Sequence, residues 1–418
     1  EYIYNNNVYF YICQVECGSF CKFMQENHFF CAFIQKYTHA WEKEELCKIV
    51  NRVNKSSSAN NLPKIELEDI VAGEGRLNKN VTRKFDDRKG IHFEENNILY
   101  GKLRPYLKKW LIPDFKGIAL GDFWVLEAKD SIPIFDYFLI QSDKYQKVAN
   151  NTSGTKMPRS DWKQVSTTEF YIPQNSEQTK IGNFFQVLDN LLTLHQRKCD
   201  KLKDLKKGYL QKMFPKGTEK IPEIRFINFD EEWEKKKLGK LAEIIGGGTP
   251  STSVKEYWNG DIDWYSPIEI GKQIYVSGSR KKITELGLQK SSAKMLPIDT
   301  VLFTSRAGIG NTTILKKEGC TNQGFQSIVP KKNKLDAYFI FSRTHELKVY
   351  GETKGAGSTF VEVSGKQMTK MLLKVPKIDE QIKIGNLFQT LDQQVNQQET
   401  KLKYLKQLKQ AYLQNMFV

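Results

Sequence analysis

One long stretch occurs twice in this chain, and the two copies align without a gap. Residues 173–214 read PQNSEQTKIGNFFQVLDNLLTLHQRKCDKLKDLKKGYLQKMF, and residues 376–417 read PKIDEQIKIGNLFQTLDQQVNQQETKLKYLKQLKQAYLQNMF. Every equivalent pair of residues is 203 positions apart. This duplication constrains the architecture more than any single motif does, because both copies must adopt the same local structure.

Each copy predicts a long helix. Side chains suited to packing recur every three or four residues, and no proline interrupts either run. At 1.5 Å per residue, such a helix spans roughly 55 Å. Because the stripes also contain polar residues, an isolated helix would be marginal, and the copies are expected to pack on each other as an antiparallel coiled coil. The expected packing residues are Leu188, Leu191, Leu202, Leu205, Tyr209, Met213, Leu391, Val395, Leu402, Leu405, Tyr412 and Met416, with His195, Lys198, Gln398 and Lys409 in the same stripes.

The composition favours a polyanionic partner. The 418 residues include 64 Lys and Arg against 48 Asp and Glu, a net charge of +16. The length suits two or three domains. No run of eighteen apolar residues and no signal-peptide pattern occurs, so no membrane span is expected. Cys47, Cys199 and Cys320 are scattered along the chain, which is typical of a protein of the reducing cytoplasm.

The first 32 residues differ in composition from the rest and are expected to be an atypical leader outside the fold. They contain Cys13, Cys17, Cys21 and Cys31, with His28 nearby. This spacing could be a metal site, but it does not match the paired C-x2-C spacing of zinc modules. No metal is therefore assigned to it.

A second repeated marker follows the leader. From about residue 33 the sequence AFIQKYTHAWEKEELCKIV resembles RFINFDEEWEKKKLGKLAEI at 225–244, with Trp41 and Trp233 192 positions apart. The second half is therefore eleven residues longer between this marker and the long helix. The sequence divides into a first block at 33–172, a long helix at 173–215, a second block at 216–375 and a long helix at 376–418.

Both blocks contain short β-like runs broken by Gly, Asn and Pro, and they differ in detail. The 203 spacing returns near their ends, where Gly154 matches Gly357 and Gln164 matches Gln367. The same α/β scaffold is thus expected to be used twice with different inner surfaces. A protein that reads two different short sequences needs such an arrangement.

Catalytic motifs are not found. No Asn-Pro-Pro-Tyr or Asp-Pro-Pro-Tyr occurs, the GGGTP run at 246–250 lacks the Gly-Lys-Ser/Thr ending of a phosphate loop, and the SRAGIG run lacks the helix and acidic residue of a dinucleotide site. Asp114, Glu127 and Lys129 could hold Mg²⁺ and orient a water as in nucleases. The second block has no equivalent set, so a nuclease remains only an alternative.

What remains is a binding chemistry, and the candidates are residue types that can contact nucleic acid. Arg and Lys read guanine edges, Asn and Gln read adenine edges, and cations on phosphates supply affinity. Candidates lie in Gly-, Ser- or turn-rich stretches, where recognition loops tend to occur. They are Arg83, Lys84, Lys102, Arg104, Lys156 and Arg159 in the first block and Arg280, Lys281, Lys282, Arg306, Asn311 and Lys354 in the second.

The ordered set of motifs resembles the specificity subunit of type I restriction–modification systems. It comprises the Trp-Glu-Lys openings, GGGTPST…YWNGDIDW at 246–264, SRAGIGNT at 305–312, GAGST…VSGKQM near the end of the second block, and the EQxKIGNxFQxLD helices. The resemblance covers residues 33–418 and not the leader. It implies an α/β (α+β) fold with two target recognition domains joined by two long antiparallel helices that act as a spacer.

The resemblance also implies a function. A non-catalytic chain would bind a bipartite, asymmetric site in double-stranded DNA and direct two methyltransferase (M) subunits, and through the complex the restriction/translocase (R) subunits, to it. S-adenosylmethionine, ATP and Mg²⁺ would belong to those other subunits, so no cofactor is expected here. A coiled-coil scaffold that binds proteins is the second alternative, and salt-dependent binding of duplex DNA distinguishes it from the first.

Overall fold

The computed structural model describes residues 41–417 apart from 82–83, 153–155, 307 and 356–361. These residues form two compact units, one made of 41–192 with 404–417 and the other of 193–403. Each unit thus combines one globular block with parts of both long helices. The expected leader with its cysteine spacing and the candidate Arg83 lie outside the described residues.

The first unit contains two four-stranded sheets and a two-stranded one. Its strands are β1 (Glu42–Glu45), β2 (Val50–Val53), β3 (Ser56–Ser57), β4 (Lys64–Ile65), β5 (Gly90–Phe93), β6 (Ile98–Gly101), β7 (Trp110–Leu111), β8 (Gly117–Ala119), β9 (Phe123–Ala128) and β10 (Glu169–Ile172). Its short helices are α1 (Leu46–Ile49), α2 (Pro133–Leu139), α3 (Asp143–Ala149) and α4 (Trp162–Ser166). The first long helix, α5 (Asn175–Lys212), begins here and continues into the second unit.

The second unit contains a five-, a three- and a two-stranded sheet. Its strands are β11 (Glu234–Lys237), β12 (Ala242–Gly246), β13 (Trp258–Tyr265), β14 (Tyr275–Val276), β15 (Lys281–Ile283), β16 (Val301–Phe303), β17 (Thr312–Leu315), β18 (Cys320–Thr321), β19 (Gln326–Pro330) and β20 (Leu372–Val375). Its helices are α6 (Leu238–Leu241), α7 (Glu285–Gln289), α8 (Ala337–Ser342), α9 (Thr344–Gly355) and α10 (Gly365–Lys370), and the second long helix, α11 (Ile378–Met416), returns into the first unit.

One sheet is the same in both units, and the other is not. The strand order β2-β9-β6-β7 of the first unit recurs as β12-β19-β16-β17 in the second, which adds β14 at the edge. The remaining sheet is β3-β5-β8-β4 in the first unit and β15-β13-β18 in the second. Equivalent strands are 192 residues apart up to β2 and β12 but 203 apart at β6 and β16, and again from β8 and β18 onward. The eleven extra residues therefore lie between β12 and β16, in the part where the units differ.

The central strand of the shared sheet, β6 or β16, is buried along its whole length, which explains its continuous apolar sequence. In β6, Ile98 and Tyr100 pack with the helices, whereas Leu99 packs with the second sheet. The second unit repeats this alternation, since Phe303 of β16 packs toward the helices and Leu302 toward the second sheet. Each unit therefore consists of helices, the shared sheet and the variable sheet in that order.

Each globular block is attached to a long helix through the same contacts. The amide of Gln178 donates to the Pro173 carbonyl at 2.8 Å, and its oxygen accepts from the Ile132 N–H at 2.9 Å. Gln381 does the same with the Pro376 carbonyl at 2.9 Å and the Asp336 N–H at 3.1 Å. These bonds fix each helix start against the helix of the block that follows the shared sheet.

The long helices pair in antiparallel orientation within each unit. In the second unit Lys206 forms an ion pair with Asp392, and His195 Nδ1 lies 2.7 Å from Oε1 of Gln398, its own equivalent 203 residues later. In the first unit Lys409 Nζ lies 2.7 Å from Oδ1 of Asp189. Residues 189 and 409 are the repeat equivalents of 392 and 206, so the same ion pair occurs once in each unit.

The expected packing stripe is only partly right for the first helix. Leu188, Met213, Leu391, Leu402 and Leu405 are buried. Partly buried are Leu191, Leu202, Tyr209, Val395, Tyr412 and Met416. Leu205 is 44% exposed and Lys198 is also exposed, so these two predictions are wrong. Cys199 and Lys206 take their places. Each lies one residue further along the helix than the predicted residue, and Cys199 is buried while Lys206 is half-buried.

Candidate nucleic-acid interface

In the first unit, four candidate cations lie on two loops that are joined by backbone hydrogen bonds. The Arg104 N–H donates to the Pro158 carbonyl at 2.7 Å, and the Ser160 N–H donates to the Lys102 carbonyl at 2.9 Å. These bonds bring the loop after β6 beside the loop before α4, which carries Lys156 and Arg159. Arg104, Lys156 and Arg159 are exposed, and Lys102 is half-buried.

The loop after β6 presents apolar side chains beside these cations. Arg104 and Lys108 both have positive φ, 50° and 51°, and they flank a 3-10 turn from Pro105 to Leu107. Non-glycine residues in this conformation are strained, and such strain concentrates at functional sites. Tyr106 is 57% exposed on the turn, and Met157 on the neighbouring loop is 47% exposed. Apolar groups beside cations suit a DNA groove, where they contact thymine methyl groups.

Arg159 is already engaged within the protein. Its Nε and Nη2 donate to the Asp122 carboxylate at 3.2 and 3.0 Å, and Lys102 Nζ lies 3.7 Å from the same carboxylate. The hydrogen bond from Arg159 lowers the pKa of Asp122 against a smaller opposing effect of burial. Because the fork of the guanidinium is occupied by Asp122, Arg159 is better suited to positioning or to phosphate than to bidentate reading of guanine.

Lys84 is placed in a different network. It forms ion pairs with Glu66 and with the fully buried Asp69, whose Oδ2 is 2.8 Å away. Burial by itself lowers the pKa of Lys84, but the two carboxylates outweigh it and the pKa is raised. The Arg88 guanidinium also donates to Glu66 at 2.6 Å. These contacts make Lys84 part of the internal structure of the first block.

In the second unit the equivalent loops meet in the same way. The Ser305 N–H after β16 donates to the Gly324 carbonyl at 2.8 Å, and the Val363 N–H donates to the Ser305 carbonyl at 3.2 Å. Arg306 is 46% exposed, and its Nε lies 2.8 Å from Oε1 of Glu362. Residue 362 is the repeat equivalent of Arg159, but Arg306 lies on the loop after β16 and not on the equivalent of the loop that carries Asp122, so the two ion pairs connect different loops.

The other candidates of the second unit fall into separate places. Asn311 is exposed just before β17, and its backbone N–H donates to the Thr304 hydroxyl at 2.9 Å. Lys354 is exposed near the end of α9, where its carbonyl accepts from the Gln367 side chain at 3.0 Å. Asn311 therefore lies near the end of the loop that carries Arg306, and Lys354 contacts α10, which follows the loop of Glu362.

The run at 280–282 belongs to the variable sheet instead. Lys281 Nζ lies 5.8 Å from the Trp258 ring centroid, and Lys282 Nζ lies 3.6 Å from Oδ1 of the buried Asp263. The exposed Arg280 is held through its backbone N–H, which donates to Glu269 at 2.7 Å. The candidates of the second unit thus form two groups, one on the shared sheet and one on the variable sheet.

Polar residues that the sequence analysis did not select lie beside Arg306. Asn322, Gln323 and Thr249 come together where the loop between β18 and β19 meets the GGGTP segment, and the Thr249 hydroxyl donates to Oε1 of Gln323. The repeat could have indicated this loop, because it lies 203 residues after the loop that carries Asp122. Its carboxamides have no counterpart in the first block, which is why sequence matching passed over them.

The nuclease alternative finds no support among the described residues. Asp114, Glu127 and Lys129 are exposed, and residues 41–417 outside the gaps contain no group of three or more His, Cys, Asp or Glu side chains placed to hold a metal ion. No helix in this part of the chain is long and apolar enough to cross a membrane.

Comparison with known proteins assigns the chain to a family. The profile of the Type I restriction modification DNA specificity domain matches residues 41–204 and again residues 230–407. The chain therefore belongs to that family, and the two matched segments correspond to the two halves of the internal repeat. The family and the two-domain fold predicted from the sequence are confirmed.

Particular relatives agree with this assignment. The chain is 33% identical over 191 residues to the specificity subunit of type I restriction enzyme MjaIX of Methanocaldococcus jannaschii, covering 45% of this chain and 44% of the relative. It is 28% identical over 308 residues to the EcoR124I/EcoR124II specificity subunit of Escherichia coli, covering 69% and 70%. The solved S subunit of M. genitalium shares the fold, with a TM-score of 0.61 at 15% identity over 92% of this chain and 98% of that chain. The match to the MjaIX subunit spans less than half of that relative's length.

Proposed function

We propose that this chain is the DNA sequence-recognition subunit of a type I restriction–modification complex. Each unit would read one half of a bipartite, asymmetric site through the loops that follow β6 and β16. The observation that carries the proposal is the pair of equivalent loop junctions with exposed arginines and different side chains. The same backbone contacts support both, so different base sequences can be read from one scaffold.

The proposed partners follow from the family. The chain would assemble with two methyltransferase subunits and, through them, with restriction/translocase subunits that bring S-adenosylmethionine, ATP and Mg²⁺. It would act in the cytoplasm, where host DNA is found. The free thiols of Cys47, Cys199 and Cys320 suit a reducing compartment.

The test exchanges one block. Residues 42–172 begin at β1 and end at β10, which pair with each other along their whole length, so both junctions of an exchanged block lie on one two-stranded sheet. Replacing this range by the block of another specificity subunit should change one half of the methylated motif in a host that also carries the methyltransferase. A change in both halves would contradict independent reading by the two units.

Two further measurements on the full chain separate the alternatives. A DNA reader binds duplex DNA with an affinity that falls steeply as salt rises, since cations on phosphates release counterions. The absence of salt-dependent binding to duplex DNA would favour a protein-interaction scaffold. Cleavage by the purified chain in Mg²⁺ would favour a nuclease, and an Asp114→Asn variant with unchanged activity would then remove that candidate residue.

A further inference from the structure

The loop between β18 and β19 presents one exposed carboxamide in a fixed position. Gln323 is exposed at its tip, and the Thr249 hydroxyl donates to Oε1 of Gln323. The loop itself is held by Asn322, whose N–H donates to the Tyr265 carbonyl at 3.0 Å and whose Oδ1 accepts from the Gly324 N–H at 2.8 Å. The Gln323 side chain is thus oriented before any ligand arrives.

The glycines of the GGGTP segment explain how Thr249 reaches this loop. A Cβ on Gly247 would lie 2.0 Å from the Asn322 carbonyl oxygen and 2.4 Å from that of Thr321. The Gly248 N–H donates to the Thr321 carbonyl at 2.9 Å. Only glycine allows the two backbones to approach so closely. The segment, which lacks the features of a phosphate loop, has the local role of bringing Thr249 to Gln323.

The chemistry of this arrangement suits adenine. A carboxamide reads adenine in the major groove by accepting from the N6 amino group and donating to N7. The bond from Thr249 uses one lone pair of the Gln323 oxygen, which leaves the second lone pair and both N–H groups for a base. We propose that Gln323 reads an adenine in the half-site contacted by the second unit, with Thr249 as its positioning residue. This inference rests on the proposed function.

Arg306 completes a local pattern. Gln323 and Arg306 flank the Ser305–Gly324 backbone bond of 2.8 Å, so they emerge side by side. Glu362 approaches Arg306 at Nε, and an arginine oriented in this way reads O6 and N7 of guanine through its remaining N–H groups. The second half-site is therefore expected to contain a guanine and an adenine at neighbouring positions.

The first unit differs at the same point. The repeat equivalent of Gln323 is Leu120, which is buried, and the next two residues are Gly121 and Asp122. Asp122 is bound by Arg159. No carboxamide occupies this place in the first unit, so the adenine contact belongs to one half-site only.

The experiment maps the methylated motif in a host that carries the methyltransferase and the full chain as wild type, Gln323→Ala, Thr249→Val or Thr249→Ser. Gln323→Ala should lower the preference for adenine at one position of the second half-site by roughly 5- to 150-fold, the range that a bidentate contact supplies. Thr249→Val should give a smaller loss at the same position, whereas Thr249→Ser keeps the hydroxyl and should retain the preference. Arg306→Ala should relax a neighbouring position.

Several results would overturn the inference. An unchanged motif in Gln323→Ala would remove Gln323 from the interface. A uniform loss of methylation across all sites would make Gln323 a structural or phosphate-contacting residue. Relaxed base preference in the first half-site would show that its assignment to the second half-site is wrong. The proposed function itself would be contradicted if the wild-type chain directed no sequence-specific methylation. That result would be seen before any variant is compared.

Discussion

The two units share the ion pair that joins the two long helices, and they differ in the loops at the proposed interface. The ion pair of Lys409 with Asp189 in the first unit recurs as that of Lys206 with Asp392 in the second, with the same charge on the same helix face. In the loops, by contrast, Arg159 binds Asp122 of the β8–β9 loop, whereas its repeat equivalent Glu362 binds Arg306 of the loop after β16. The ion pair between the long helices is thus kept in both units, whereas the side chains that join the loops differ between them.

The lysine of this ion pair is more buried in the first unit, whereas the carboxylate is more buried in the second. Lys409 is 8% exposed, and its Nζ also lies 3.0 Å from the Gln141 side chain. Burial raises the pKa of Asp189 despite the opposing influence of Lys409. Removing one partner of such a pair leaves an uncompensated charge and costs far more than the net value of the pair.

The largest expected effect therefore comes from Lys409→Met. We expect the first unit to lose about 3–5 kcal/mol of stability. The equivalent Lys206→Met in the second unit should cost less, roughly 1–3 kcal/mol, because Asp392 keeps a hydrogen bond from the Tyr338 hydroxyl at 2.8 Å. Hydrogen exchange of each unit in chemical denaturant measures both losses.

A double variant controls for the burial of charge. Lys409→Met combined with Asp189→Leu removes both charges, and such replacements are often neutral or stabilising. Recovery of stability in the double variant would assign the loss to the unpaired carboxylate. Equal losses from Lys409→Met and Lys206→Met would show that the Tyr338 hydroxyl does not compensate Asp392.

The long helices and the shared sheet could be predicted because their signals are local. A gapless repeat and unbroken apolar strands do not depend on distant residues. The packing stripe was wrong at Lys198 and Leu205 since it was followed along one copy alone. The second helix packs through Leu402 and Lys409, and the 203 spacing applied to these two would have indicated Cys199 and Lys206.

The interface could be predicted only as a set of residue types. Composition and turn-rich stretches indicated Arg306 and Arg159, but not that Glu362 and Asp122 hold them, because the partners are 56 and 37 residues away in sequence. No local sequence pattern indicated Gln323, because its proposed role depends on contact with Thr249, which is distant in sequence and follows strand β12. Loop chemistry of this kind is decided by tertiary contacts and not by pattern.

The second prediction concerns two glycines of the long helices. A Cβ on Gly182 would lie 2.4 Å from Cγ2 of Ile134, and a Cβ on Gly385 would lie 2.4 Å from Oδ1 of Asp336. Asp336 caps α8 through the Phe339 N–H at 2.7 Å, so it cannot move without losing that bond. We expect Gly182→Ala and Gly385→Ala each to destabilise their own unit by about 1–2 kcal/mol, after the gain in helix propensity.

The matched control for these variants lies in the same helix. Gly208 has open space around its Cα, and its repeat equivalent is Ala411. Gly208→Ala should therefore stabilise the protein by about 0.5–1 kcal/mol. Thermal unfolding of the three variants gives the comparison. Stabilisation by Gly182→Ala would mean that the helix does not approach α2 as closely as described.

The third prediction is that acid loosens the first block more than the second. The hydrogen bond from Arg88 lowers the pKa of Glu66, and ion pairs with Lys79 and Lys84 lower that of Asp69 despite its burial. A carboxylate with a lowered pKa contributes stability that is present above its unfolded pKa of about 4 and is lost as pH falls through the folded pKa. Protection of 64–93 from hydrogen exchange should therefore fall as pH is lowered from about 5 to 3.

A variant tests the cause of this acid dependence. Lys84→Met removes one cation from the network and should make protection of the same segment less dependent on pH. In the second block the buried Asp263 of β13 has Lys282 and Lys317 near it, at 3.6 and 3.7 Å, so the strand pair of β12 with β19, which belongs to the other sheet, serves as the internal reference. Equal loss of protection in both blocks would contradict the role given to Glu66 and Asp69.

The smallest expected effects come from neutralising the acidic partner in each loop pair. Asp122→Asn and Glu362→Gln should each cost about 0–1 kcal/mol of stability, because both pairs are largely exposed. Their effects on recognition should differ, because Asp122 binds Arg159, which suits phosphate, whereas Glu362 orients Arg306, the proposed reader of guanine. Asp122→Asn frees a cation, so we expect tighter non-specific binding with a steeper salt dependence and an unchanged first half-site. Glu362→Gln loosens an arginine that would read guanine, so preference at one position of the second half-site should weaken. Binding to duplex libraries at two salt concentrations measures both quantities, and relaxed sequence preference in Asp122→Asn would show that Arg159 reads bases as well.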